Sequence, residues 1–176
     1  MSNLESNKNL HNPYLRIPFL GILLLLSILL DFIQTRFLPI YLNLDWTLIF
    51  VFYIGWSTTP IRGAVSGTIF GIVQDFMLAV LLGINGVIKT VIGYLASYLS
   101  TILNPDLEGL MRFILIAGIS FLNNLVLYES QHLLTNSSGE IPLLMLLSGS
   151  ILTGIAGDLI FRLLNRLQAS PKEFAR

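Results

Sequence analysis

Six predominantly apolar stretches, separated by short polar breaks, run through this 176-residue chain and constrain its fold more than any single motif does. About 20 apolar residues in a helix cross the ~30 Å hydrocarbon layer of a bilayer. The stretches cover about 17–35, 44–59, 63–82, 84–103, 110–134 and 141–161, with Pro60, Asn104-Pro105 and Pro142 at the breaks. With 54% hydrophobic and 11% charged residues and a mean hydropathy of +0.76, one soluble core cannot hide the apolar surface. The chain therefore reads as an all-α, polytopic membrane protein of six transmembrane helices. Residues 1–176 form one transmembrane domain, with polar tails at 1–12 and 170–176. The second stretch is the shortest and carries Trp46 and Trp56 near its ends, where indole rings favour the interface. In the first, the apolar Leu23–Leu26 block is followed by Asp31, Gln34 and Arg36 rather than by small residues, so it reads as a retained span and not as a signal peptide.

Orientation follows from the basic residues, because cytoplasmic loops retain positive charge. With both termini in the cytoplasm, Lys8, Arg16, Arg62, Arg112, Arg162, Arg166, Lys172 and Arg176 fall on the inner side. Only Arg36 and Lys89 then fall toward the outside.

Within the third stretch, small or acidic residues recur at every fourth position: Gly63, Gly67, Gly71, Asp75, Ala79 and Gly83. Small residues four apart let another helix approach backbone to backbone, which in lipid is a main source of association energy. Asp75 lies on the same stripe, so the contact includes an ionisable group. Gly93, Ser97 and Thr101 in the fourth stretch share the interval and point to packing of the third helix on the fourth. Ser150, Gly154 and Asp158 form a weaker copy in the sixth, a spacing that an inverted three-plus-three repeat would produce.

Charges inside a membrane are costly and need a partner or a watery cavity. At ~1.5 Å per residue, Asp31 lies about 21 Å beyond Ile17 and Asp75 about 20 Å beyond Arg62, both in the outer third, with Lys89 at a similar level. The three are candidates for an intramembrane ion pair, centred on Asp75 with Lys89. Asp158 stands one turn before Arg162 and reads as an i,i+4 partner. Asn123 and Asn124, mid-span in the fifth helix, read as interhelical hydrogen-bonding groups.

No catalytic constellation is visible. His11 and His132 have no metal-binding spacing, and there is neither a Gly-x-Ser-x-Gly elbow nor a phosphate-binding loop. The absence of cysteine removes disulfides and thiolate metal sites. The chain reads as a non-enzyme without a cofactor, and without a basic tract for nucleic acid.

The stretch Gly63-Ala-Val-Ser-Gly67-Thr-Ile-Phe-Gly71-Ile-Val-Gln-Asp75, preceded by Thr59-Pro60-Ile61-Arg62 and followed by Gly83-Ile-Asn-Gly86, resembles the central signature of the MreD rod shape-determining proteins. These are small, multi-spanning proteins of the bacterial inner membrane. The resemblance implies a non-enzymatic component of the cell-elongation machinery that builds side-wall peptidoglycan. It also implies association with an MreC-like bitopic protein and, through it, with an MreB-like cytoskeleton, a RodA-like polymerase and a penicillin-binding transpeptidase. In that setting the stripe at Gly63, Gly67, Gly71 and Gly83 would receive partner helices while Asp75 fixes their register. The implied fold is similar to that of the substrate-binding subunits of energy-coupling-factor vitamin transporters, and such a subunit is the alternative function. A proton- or ion-coupled carrier using Asp31, Asp75 and Glu129 is a third class, without a polar pathway to support it.

Overall fold

The computed structural model describes residues 17–37, 44–78, 83–103, 109–135 and 143–168. They form six α-helices: α1 (Ile17–Phe37), α2 (Trp46–Ser57), α3 (Pro60–Leu78), α4 (Ile84–Ile102), α5 (Gly109–Thr135) and α6 (Leu143–Gln168). No strand occurs among the described residues. Both polar tails, and Ala79 on the glycine ladder, lie outside them. The helix starts have local causes. Asp45 caps α2 by accepting the Leu48 N–H at 2.8 Å. Pro60 occupies the first position of α3, where its missing N–H costs nothing. Gly83 precedes α4 with φ 99°, a left-handed conformation that glycine adopts without steric cost. The sixth helix continues past the expected end at Phe161 to Gln168, carrying Arg162 and Arg166 within it.

Helices α1, α5 and α6 are long and apolar enough to cross a membrane by themselves. The other three differ from six equivalent spans. Helices α3 and α4, 19 residues each, mix glycine, serine, amides and charge into their apolar sequence. Helix α2 has only 12 residues. At 1.5 Å per residue it is about 18 Å long, well short of the hydrocarbon thickness. Its position resolves the mismatch, because every residue from Thr47 to Gly55 is buried inside the protein. A helix that is apolar all round belongs in an interior. Accordingly, α2 contacts all five other helices and forms the axis around which they pack.

The apolar core is built on this axis. Phe50, Phe52, Tyr53 and Ile54 of α2 join Leu23, Ile92, Ile116 and Phe161 from four surrounding helices. The Tyr53 and Phe161 rings meet edge to face with centroids 4.9 Å apart, an arrangement favoured by the ring quadrupoles. Side chains such as Leu25, Phe32, Ile69, Phe76, Val87 and Leu144 project outward, as the apolar exterior of a lipid-facing bundle requires.

The most extensive interface joins α3 to α4. A Cβ placed on Gly63 would lie 2.3 Å from the Gly93 carbonyl oxygen, one on Gly67 2.0 Å from that of Lys89, and one on Gly71 2.4 Å from that of Asn85. Each four-residue step up α3 matches a four-residue step down α4, so the two helices are antiparallel with backbones in contact. The Thr68 and Thr90 hydroxyls, 2.7 Å apart, tie the same seam. Helix α5 packs on α6 less closely: Gly154 and Gly157 face the side chains of Phe113, Ala117 and Ile116 rather than backbone.

Candidate functional site

Polar side chains from every helix gather around the N-terminus of α2. Asp45, fixed as the α2 cap, also accepts from the Lys89 ammonium at 3.0 Å and from the Asn123 amide at 3.1 Å. Its backbone N–H donates to Thr153 Oγ1 at 3.3 Å. Lys89, with no exposed surface, gives a second hydrogen bond to Asn85 Oδ1 at 3.0 Å. Asn124 reaches Ser150 of α6 at 3.4 Å. On the α1 side, Asp31 Oδ2 accepts from the Thr47 hydroxyl at 2.6 Å and from Gln74 Nε2 at 3.1 Å. Gln34 braces the α1–α2 corner, donating to the Leu44 carbonyl and accepting from the Trp46 indole, both at 2.9 Å.

Asp75 does different work from an ion-pair partner. Its carboxylate accepts the backbone N–H groups of Gly83 at 2.8 Å and of Asn85 and Gly86 at 3.3 Å, together with the Asn85 side-chain amide at 2.8 Å. It therefore caps α4 from the neighbouring helix, satisfying the donors that a helix N-terminus leaves open and complementing its positive dipole. The ion pair sought at Asp75 and Lys89 instead joins Lys89 to Asp45. Asn85 stands between Lys89 and Asp75, donating to the carboxylate while accepting from the ammonium. Asp31 lies in the same polar region but takes its hydrogen bonds from Thr47 and Gln74. Among the described residues the cluster thus gathers three carboxylates and one ammonium, which pairs with Asp45 alone.

The glycine stripe also differs from a socket for another protein. At Gly63, Gly67 and Gly71 the space is filled by α4 of the same chain, because its own Gly93 and Gly86 permit that approach first. Gly83 is not a packing notch: a Cβ there would touch nothing within 4 Å, and the residue serves the left-handed turn instead. At the opposite end of the bundle, Asp158 accepts from Arg112 of α5 and from Arg162, each at 2.8 Å. The Arg112 guanidinium also lies 5.4 Å from the centre of the Phe161 ring.

The stripe and the Asp75 cap that ends it make one structural unit out of the segment from Pro60 to Gly86, and a family comparison decides where it belongs. The model of the rod shape-determining protein MreD matches residues 15–164. The chain belongs to the MreD family. The match runs from the start of α1 into the last turns of α6, so the cluster around Asp45 lies wholly within the MreD region. MreD proteins are structural, shape-determining membrane proteins, and the apolar helices of this chain agree with a membrane location. Comparison with curated proteins and with solved structures gave no match.

Asp45 is the site residue that sequence reasoning missed. It falls at the second position of the second apolar stretch, where an aspartate reads as an ordinary residue of a span's polar edge. The available signal was its place immediately before an apolar run, as an N-cap.

Proposed function

We propose that this chain is a non-enzymatic membrane platform of the bacterial elongation machinery, holding partner transmembrane helices in place for side-wall peptidoglycan synthesis. The family match over residues 15–164 carries the reading. It favours a shape-determining role over the transporter-subunit alternative. The geometry supports a platform: hydrogen bonds and ion pairs link all six helices around α2, and the glycine stripe is spent on joining α3 to α4. Partner helices are therefore received on the outer apolar faces. The proposed partner in direct contact is an MreC-like bitopic protein, with an MreB-like cytoskeleton, a RodA-like polymerase and a penicillin-binding transpeptidase reached through it.

The protein lies in the inner membrane as a multi-pass chain with both termini cytoplasmic. Arg62, Arg112, Arg162 and Arg166 then face the cytoplasm, and the Asp45 cluster lies toward the periplasmic side. The test is genetic and biochemical. Removing the gene from its host should turn rods into spheres, the intact gene should restore them, and the MreC-like protein should copurify from solubilised membranes. Rod shape without the gene, or no copurification of the partner, would contradict the proposal.

A further inference from the structure

Between α1 and α3 the outer surface opens into a cavity of about 250 Å³, lined by Ile28, Asp31, Phe32 and Thr35 of α1 and by Gln74 and Met77 of α3. Phe32 and Met77 are 62% and 63% exposed, whereas Asp31 and Gln74 are each 7% exposed. The cavity therefore has an apolar rim and a polar wall. Gln74 donates through Nε2 to Asp31, which fixes the orientation of its amide, and its Oε1 is buried without a hydrogen-bond partner among the described residues. A buried acceptor left unpaired is costly, so an occupant that donates there gains by filling it.

We propose that this cavity receives a lysine or arginine side chain from a transmembrane helix of a partner protein, with the Asp31 carboxylate and Gln74 Oε1 as its acceptors. The inference rests on the reading that the chain docks partner helices, and it names where one is held and by what chemistry. Charge selects the occupant. Among the described residues Lys89 is committed to Asp45 and Asn85, Asp75 is met by the N-terminus of α4, and Asp31 accepts from the neutral Thr47 and Gln74 side chains with no cation bonded to it. A cation is therefore the missing element. A bare metal ion fits poorly, since hard cations take about six or more oxygen ligands and the wall supplies far fewer. A basic side chain can place two of its N–H donors on these two acceptors, and its aliphatic stem suits a rim made by Ile28, Phe32 and Met77. The partner gains as well, because an unpaired base within the hydrocarbon layer is costly.

The chain contains no cysteine, so single cysteines at Met77 and Phe32 report contacts without background. In native membranes, each is paired with cysteines scanned along the transmembrane segment of the MreC-like partner. Disulfides should recur every three to four partner residues and bracket a lysine or arginine. Asp31→Asn should lower copurification of the partner about tenfold, as should replacing that base by leucine, with little further loss when the two are combined. If Asp31→Asn does not accumulate, the disulfide pattern in the chain with Asp31 intact decides alone. Disulfides centred on a segment without a base would overturn the proposal. So would their absence at both positions while the partner still copurifies, which would leave the docking reading standing. Failure of the unmodified chain to copurify the partner would sink that reading instead. Phosphatidylethanolamine retained by the intact protein in native mass spectrometry and lost on Asp31→Asn, without disulfides, would assign the cavity to a lipid headgroup and also overturn the proposal.

Discussion

Lys89 Nζ lies 3.0 Å from Asp45 Oδ2, joining the second turn of α4 to the cap of α2 with the lysine wholly buried. A cation near a helix N-terminus opposes the macrodipole, so the carboxylate is needed both to pair the charge and to offset that dipole. Removing one partner of a buried pair leaves an uncompensated charge, at a cost of about 3–5 kcal/mol. Lys89→Met should therefore fall by that amount in a thermal or denaturant unfolding assay in detergent. Asp45→Asn keeps the α2 cap and should lose a similar amount. The double variant should be less destabilised than the two losses added together; full additivity would show that the pair contributes no coupling.

Gly67→Ala should prevent α3 and α4 from meeting, because the new methyl carbon would lie 2.0 Å from the Lys89 carbonyl oxygen, a backbone atom that cannot swing away. The loss should be about 3 kcal/mol or more, or no folded protein at all. Gly21→Ala and Gly118→Ala, where a Cβ meets nothing within 4 Å, should stay within about 0.5 kcal/mol of the parent. Equal melting temperatures for Gly67→Ala and Gly118→Ala would contradict the seam.

Asp75→Asn replaces one of two acceptor oxygens by a donor facing backbone N–H groups. The N-terminal turn of α4 should fray, at a cost of about 1–3 kcal/mol. Hydrogen exchange followed by mass spectrometry should show faster exchange in peptides covering Gly83–Gly86, with little change in α6. Unchanged exchange would mean that Asp75 is dispensable as a cap.

The two arginines around Asp158 should behave unequally. Arg162 is 59% exposed in its side chain, so Arg162→Ala should change stability by less than about 1 kcal/mol. Arg112 is 14% exposed and also covers Phe161, and Arg112→Ala should cost more than Arg162→Ala in the same unfolding assay. The reverse order would place the important contact on the exposed side.

The helices were legible in the sequence because apolar length and proline breaks mark them directly. The close approach at Gly63, Gly67 and Gly71 was legible too, since only small residues at that spacing permit it. What filled the approach was not, because a notch carries no record of whether its occupant comes from the same chain. The Asp45–Lys89 pair was hidden for a related reason. Depth estimates rank residues along their own helices, whereas Asp45 precedes its helix and reaches Lys89 only because α2 stands at the centre. That central position was itself obscure, since a short apolar stretch with tryptophans near its ends reads equally well as a thin span at the lipid surface.

The enclosed α2 bears on how the protein is made. Twelve residues are too few to hold a stable place in the bilayer unaided. The segment depends for its position on walls that the ribosome has yet to produce when it leaves the tunnel, since α4, α5 and α6 all follow it in the chain. Biogenesis must keep the nascent α2 sheltered until those later helices arrive, and a chain interrupted before α4 would present quality-control proteases with an unhoused middle.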